Sequence, residues 1–334
     1  AMLRYNISKQ KNLRVYYRSR TQSPSVNQLQ NVIDNSNPLQ LRAGNPELDQ
    51  SFSHRLFIRY SSSDIEKAST FFILLSGNLT DDYIGNATFL SSTDHPIFEE
   101  YEIERGAQLT IPVNLDGYRN LRVFTTYGMP IKGLKTNVNM ELSANYTRTP
   151  GLIDQVENFS NNTGLSAGLS FTSNISEKVD FTIGTRGGYN VVQNTIRESL
   201  NNNYWTLNSR GKLAVIFPAG FVLRTDVTHQ MYRGLSEAFN TDYMLWNIAV
   251  GKKVFKSQLG EISLSVFDLL KQNQSIRRNV TETFIEDQRI NVLQQFFMLS
   301  FTYNFRNFGS GAPPGGGRED FRRGGAPSSS HPHD

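Results

Sequence analysis

The chain has 334 residues, no cysteine, and a formal charge of +4 from 34 Lys and Arg against 30 Asp and Glu. Only 38% of residues are apolar, yet aromatics reach 11% with 22 Phe and 14 Tyr, and a disordered chain would be poor in aromatics. The missing cysteines exclude a disulfide framework, the dispersed basic residues argue against a nucleic-acid partner, whose footprint would be clustered, and no run approaches the ~18 apolar residues of a spanning helix.

The dominant signal is period-2 alternation, repeated along most of the chain. Ala1-Met2-Leu3-Arg4-Tyr5 reads as strand and not as a secretory leader. A first strand at 3–8 turns at Ser8–Asn12, and after a long excursion at 20–52 a strand at 53–62 turns at Ser62–Lys67. Phe71–Leu75 is the densest apolar run and has strand length. The excursion at 78–117 carries Asp81-Asp82, Asp94-His95, Glu99-Glu100 and Glu102 with Glu104; without calcium-loop spacing it reads as a solvated face. A tight turn at Pro130–Leu134 leads into 137–147, where Val138, Met140, Leu142, Ala144 and Tyr146 alternate with polar residues. A loop is expected at 148–161.

Residues 162–173 set Leu165, Ala167, Leu169 and Phe171 against Ser166, Gly168, Ser170 and Thr172. Turns at Asn174–Lys178, Phe217–Gly220 and Lys256–Gly260 alternate with long connections at 192–203, 232–241 and 272–289. In 221–230, Phe221, Leu223 and Val227 oppose Arg224, Asp226, Thr228 and Gln230, with Thr225 and His229 diluting the apolar side. The last strand places Phe297, Leu299, Phe301, Tyr303 and Phe305 on one face.

These runs of roughly 10–15 residues exceed the ~5–6 of soluble strands and match the ~9–11 needed to cross a bilayer at a tilt. Short turns on one side and long loops on the other form the outer-membrane pattern. The reading is all-β: an antiparallel transmembrane β-barrel segment of about 13 long strands over 1–306, with periplasmic turns and extracellular loops, in the bacterial outer membrane. Because single-chain barrels have even strand numbers, an odd count points to strands upstream. From 307 to 334 the chain is rich in Gly, Pro and Arg and is expected to be a disordered periplasmic tail.

Leu169, Phe171, Phe297, Leu299 and Phe301 are expected to form the lipid-facing belt, with Trp205 at its outer rim. Arg122, Glu141, Arg186, Arg210, Lys212, Arg224 and Asp226 fall on inward faces. They read as a solvated or mutually paired lumen wall, with plug contact or a substrate path as the alternative. Loop aromatics such as Tyr83, Phe98, Tyr101, Tyr232 and Phe239 read as packing residues, with ligand contact as the alternative. No HExxH, G-x-S-x-G, Walker A or CxxC pattern exists, so no catalytic, cofactor or metal residue is assigned and no enzyme is expected. His331 and His333 lie in the tail and are slight grounds for a metal.

Several stretches resemble a known family. Thr21-Gln22-Ser23-Pro24-Ser25-Val26-Asn27-Gln28-Leu29-Gln30, Asp34-Asn35-Ser36-Asn37-Pro38 and Gly44-Asn45-Pro46-Glu47-Leu48 resemble a loop segment of TonB-dependent receptors. Pro112-Val113-Asn114-Leu115-Asp116-Gly117-Tyr118, Tyr127-Gly128-Met129-Pro130, Val266-Phe267-Asp268-Leu269-Leu270 and Phe301-Thr302-Tyr303-Asn304-Phe305 resemble the TonB-dependent-receptor-like outer-membrane β-barrel branch. The resemblance covers about residues 1–306 and implies the C-terminal part of a roughly 22-stranded barrel with a plug and the TonB system as partners. It also implies uptake of a nutrient ligand. No plug or TonB box is present in this sequence. Phe301, Tyr303 and Phe305 resemble the signal read by the barrel-assembly machinery, although here a tail follows it. The alternative is a structural or surface-interaction barrel, an adhesin or docking platform, without active transport.

Overall fold

The computed structural model describes residues 1–37, 39–90, 106–173, 175–176, 178–196, 198, 201–235, 240–255, 258–280, 285–290 and 292–304. The strands are β1 (Met2–Ser8), β2 (Lys11–Gln22), β3 (Ile33–Asp34), β4 (Gln40–Ala43), β5 (Ser51–Asp64), β6 (Ser69–Asp81), β7 (Tyr83–Leu90), β8 (Gln108–Leu115), β9 (Tyr118–Ile131) and β10 (Thr136–Ile153). They continue with β11 (Val156–Ser173), β12 (Val179–Asn194), β13 (Asn202–Ile216), β14 (Phe221–Arg233), β15 (Thr241–Val254), β16 (Gly260–Phe267), β17 (Ser275–Val280), β18 (Ile285–Ile290) and β19 (Phe296–Tyr303). A single helical turn, α1 (Val26–Leu29), follows β2.

All strands but β17 and β18, which form their own hairpin, join one 17-stranded sheet. The sheet thus holds more than the expected strands of about 13. The surplus is β3, β4, β7 and β8, short strands inside the two excursions at 20–52 and 78–117. Setting them aside leaves an up-and-down antiparallel meander of thirteen, from β1 through β2, β5, β6 and β9 to β16 and β19.

Residues 148–161 are a correction, because they are not a loop. β10 and β11 pair continuously from Thr136↔Ser173 to Ile153↔Val156 and meet in a two-residue turn. Its residues, Asp154 and Gln155, both have positive φ (48° and 66°), as the tightest hairpin turns require. Pro150 is tolerated mid-strand for a geometric reason. Its partner Phe159 directs both its N–H and C=O away from β10, toward Thr195. The 150–159 pair is therefore a non-hydrogen-bonded one, and the proline nitrogen also points outward. On that outer side β9 has already ended, at Arg119↔Arg148, so no ladder donor is lost. β19 runs to Tyr303, and Phe305 and the tail at 307–334 lie outside the described residues.

The register sorts the side chains onto two faces. One cross-strand row reads Leu3, Val15, Ile58, Leu75, Val123, Ala144, Leu165, Tyr189, Trp205, apolar or aromatic at every step over nine strands. One residue along, the facing row reads Arg14, Arg59, Leu74, Phe124, Ser143, Ser166, Gly188, Thr206. Large side chains on the apolar face stay uncovered: Leu299 is 74% exposed, Phe297 67% and Leu142 57%. A soluble protein rarely exposes so continuous an apolar surface. No helix among the described residues is long and apolar enough to cross a membrane.

The enclosed core lies elsewhere, in the excursions. β7 pairs antiparallel with β8, β8 pairs parallel with β4, and β3 completes a small sheet. A parallel contact of β7 with Leu152 and Ile153 fastens this sheet to the tip of β10. Leu41, Ala43 and Leu109 are buried on its one side, packed by Ile33, Phe89 and Ile111.

Candidate transmembrane wall and loop-module cavity

Leu169 and Phe171 on β11 and Phe297, Leu299, Phe301 and Tyr303 on β19 stand on the apolar face. Leu169 lies opposite Met140, Phe171 opposite Ile183, and Phe297, Leu299 and Phe301 opposite Val266, Leu264 and Ile262. Trp205 joins this face at one end, its ring 4.4 Å from that of Tyr189. Phe255 meets Phe301 and Tyr303 edge-on near the other end.

Arg122, Glu141, Arg186, Arg210, Arg224 and Asp226 stand on the polar face, and all but Arg122 are ion-paired. Arg186 on β12 reaches Glu141 on β10, across the strand between them. Gly168 occupies the intervening position on β11, opposite both residues, and with no side chain there the guanidinium can cross. Arg210 holds Asp226 at 2.5 Å with Lys212 at 3.7 Å from the same oxygen. Arg224 on β14 takes a two-pronged grip on Glu261 of β16, again skipping a strand. There Gly251 leaves the space, since a Cβ on it would stand 2.9 Å from the Glu261 carboxylate. Glu261 was not among the residues singled out from sequence.

The other half of the polar face differs. On β1, β2, β5 and β9 it carries Arg4, Arg14, Arg18, Arg55, Arg59 and Arg122, and none has a carboxylate within ion-pair distance among the described residues. Apart from Arg122, sequence reading passed over these arginines. The available signal was the alternation in Leu13-Arg14-Val15-Tyr16-Tyr17-Arg18-Ser19-Arg20, where cations recur at even positions.

A cavity of about 600 Å³ opens on the loop module, against α1 and the polar side of β4 and β8. Gln30, Asp34, Gln40, Arg42, Asn86 and Gln108 line it, so amide donors and acceptors predominate. Asp34 and Arg42 stand opposite each other in the β3–β4 pair. The Ser36 hydroxyl and backbone N–H hold the Asp34 carboxyl below its ordinary value, with Arg42 assisting and desolvation opposing.

Two of the family-like stretches, at Gly44–Leu48 and Pro112–Tyr118, latch this module. Gly44 packs so closely that a Cβ would lie 2.1 Å from the Gln30 carbonyl. Beside it, the Asn45 N–H donates to the Gln28 carbonyl at 2.6 Å and the Asn45 side chain to the Pro112 carbonyl at 3.1 Å. Asn114 donates to the carbonyls of Asp49 and Asp82, both at 3.0 Å. Apart from the module, the buried Asp268 carboxylate accepts from the backbone N–H groups of Gln272 and Asn273 at the exit of β16.

A meander of long strands, apolar on one face and charged on the other, is the wall of a transmembrane β-barrel protein. The chain belongs to the outer membrane protein beta-barrel family, whose model matches residues 1–303, and it is a protein of the bacterial outer membrane. No curated protein matches it.

Proposed function

We propose that the chain is the C-terminal barrel portion of a TonB-dependent-like receptor that takes up a nutrient ligand through the outer membrane. The observation that carries this reading is the pair of open edges. β1 hydrogen-bonds only to β2 and β19 only to β16 among the described residues. Unpaired backbone groups in lipid cost several kcal/mol each, so both edges need partners. In a thirteen-strand meander the first and last strands run in the same direction, and joining them directly would make one parallel seam. An odd number of further strands closes the wall antiparallel, which agrees with a barrel of about 22 strands.

In this reading the apolar face, with Leu169, Phe171, Phe297, Leu299 and Phe301, meets outer-membrane lipid, and the polar face lines the lumen. Strands β10 and β11, with 18 residues each, are longer than a crossing requires and carry the loop module out beyond the bilayer. Its cavity is the place of ligand capture. A plug and the TonB system would open the lumen, and the barrel-assembly machinery would read the aromatic end of β19 with Phe305. The protein acts as a transporter, not an enzyme.

These 334 residues contain no cysteine, so thiols introduced in this wall have no native neighbour within it. Single cysteines at Leu3, Tyr5 and Ile7 are combined with single cysteines at Phe297, Leu299 and Phe301 in the full gene product, in membranes, under mild oxidation. No intramolecular disulfide is expected in any combination. A disulfide in any of them means that the wall closes on itself as a small barrel, and the receptor reading is then abandoned.

A further inference from the structure

The two halves of the polar face balance charge differently. From β10 to β16 three carboxylates on this face, Glu141, Asp226 and Glu261, each hold an arginine, and the fourth, Asp180, accepts from the Ser173 hydroxyl. From β1 to β9 the cations stand directly opposite one another: Arg4 faces Arg14, Arg14 faces Arg59, and Arg18 faces Arg55. Neighbouring strands lie about 4.8 Å apart, and like charges set opposite each other are unfavourable. The only carboxylates in β1, β2, β5, β6 and β9 are Asp64 and Asp81. Both sit at strand ends and in the apolar register, opposite Ser69 and Phe52. Nothing within these strands can neutralise the row.

A strand added beside β1 could supply part of the missing charge. The ion pairs seen in this wall span at most two strands, so such a strand reaches Arg4 and the arginines of β2. Arg55 and Arg59 on β5 and Arg122 on β9 are beyond that reach. Among the described residues no carboxylate of the chain compensates them, which leaves that role to what enters the lumen.

We infer that this half of the wall is an anion-binding track for carboxylate- or phosphate-bearing solutes. Guanidinium forks match both groups in two-point geometry. The arginines are staged along the strand and not gathered at one point. Arg14 and Arg59 lie toward the tight turn at Lys9 and Gln10, Arg18 and Arg55 about 13 Å further along, and Arg20 near the end that enters the long excursion. Staged cations hand an anion from site to site, as in anion-selective pores. Tyr16, Phe57, Phe72 and Phe124 lie among them, with the Arg59 guanidinium 4.9 Å over the Phe72 ring, so the track also offers apolar contact to the body of an organic anion. The inference rests on the polar face being the lumen, and it gives the proposed ligand a charge.

The test is site-resolved arginine modification of the full gene product in membranes. Phenylglyoxal is applied with and without tripolyphosphate or citrate, and adducts are quantified by mass spectrometry. Arg55, Arg59 and Arg122 are expected to react readily and to slow about tenfold when the anion is present at about ten times its dissociation constant. Arg186 and Arg224, already paired, are expected to show no anion dependence. Protection by tripolyphosphate or by citrate tells phosphate from carboxylate. Arg59→Gln should weaken the protection of Arg55. Ready reaction without protection by either anion overturns the inference. So does lack of reaction before any anion is added, because the arginines are then covered by protein. A lipid-phase photolabel in the same sample separates the two readings. If Leu264 and Leu299 are labelled while the anions fail, the barrel orientation stands and only the track is lost.

Discussion

Replacing Gly44 with alanine tests whether the loop module is a folded unit latched at one point. The added Cβ would stand 2.1 Å from the Gln30 carbonyl oxygen, 2.7 Å from its carbon and 2.9 Å from the Gln28 carbonyl oxygen. All three are backbone atoms, so no side-chain rotation relieves the contact. Restoring ordinary separation moves α1 and Gln30 away from β4 by more than 1 Å, on the order of a core overpacking costing about 1–3 kcal/mol. The same movement breaks the 2.6 Å bond from Asn45 to Gln28 and strains the 3.1 Å bond from Asn45 to Pro112, at about 1 kcal/mol each. A local loss of about 3 kcal/mol raises the opening constant roughly 100-fold. Hydrogen exchange by mass spectrometry should show that acceleration at Val26–Gln30 and Gln108–Leu115, with β11 and β12 unaffected. Gly133→Ala, where nothing lies within 4 Å of the new atom, should change nothing. If exchange at Val26–Gln30 stays within about twofold of the parent, Gly44 is no latch and the reasoning fails.

On the apolar face, Leu142→Arg should cost about 2–4 kcal/mol in reversible urea unfolding from vesicles. Ser143→Arg, one residue along on the polar face, should lose only the Ser166 hydrogen bond, about 1 kcal/mol; equal costs would mean the faces are misassigned. A double-mutant cycle on Arg224→Met and Glu261→Gln should give a coupling of about 0.2–1 kcal/mol, smaller at high salt, because the Arg224 side chain is 43% exposed; a salt-insensitive coupling of several kcal/mol would mean a dry lumen. Asp34 has its carboxyl held below the ordinary 3.8, so its contribution to the β3 turn is present above that value and is lost as pH falls through the lowered one. Ser36→Ala should move the Asp34 carboxyl titration, followed by NMR, back up toward 3.8; no upward movement would show that Ser36 is not the cause. Gln155→Gly relieves a left-handed residue in the β10–β11 turn and should stabilise by about 1 kcal/mol; a loss in the same unfolding assay would contradict the turn geometry.

The meander was legible in the sequence because each of its strands announces itself locally. In β11 and β19 the alternation decides the face of every residue, and the tight turns fall where Gly, Pro, Asn and Ser interrupt it. The small strands β3, β4, β7 and β8 were not legible. Their pairing is parallel at β4–β8 and β7–β10 and joins residues far apart in sequence, so local periodicity carries no trace of it. The stretch at 148–161 misleads because Thr149-Pro150-Gly151 has the composition of a loop. What makes it strand is the end of β9 two residues earlier, a tertiary circumstance. Likewise, the alternation gave Arg224 and Asp226 a face but not a partner. Glu261, 37 residues along from Arg224, comes within reach only because β15 folds back between them.

The charge asymmetry of the polar face has a compositional origin. Arg210 and Lys212 meet Asp226 on the adjacent strand, but the two longer ion pairs cross an intervening strand, and the strand crossed carries glycine there: Gly168 beneath the Arg186–Glu141 pair and Gly251 beside Glu261. A lack of room could explain unpaired arginines elsewhere if carboxylates stood nearby but out of reach. On β1, β2, β5, β6 and β9 no carboxylate lies in the polar register at all. The register also rules out slippage as a remedy: shifting β5 by one residue would turn Arg55 and Arg59 onto the apolar face, and in the orientation proposed above an arginine there at the bilayer midplane costs about 2–4 kcal/mol. The arginines are thus locked on one face by the same alternation that builds the wall, and in the orientation proposed above their charge is left for whatever enters the lumen.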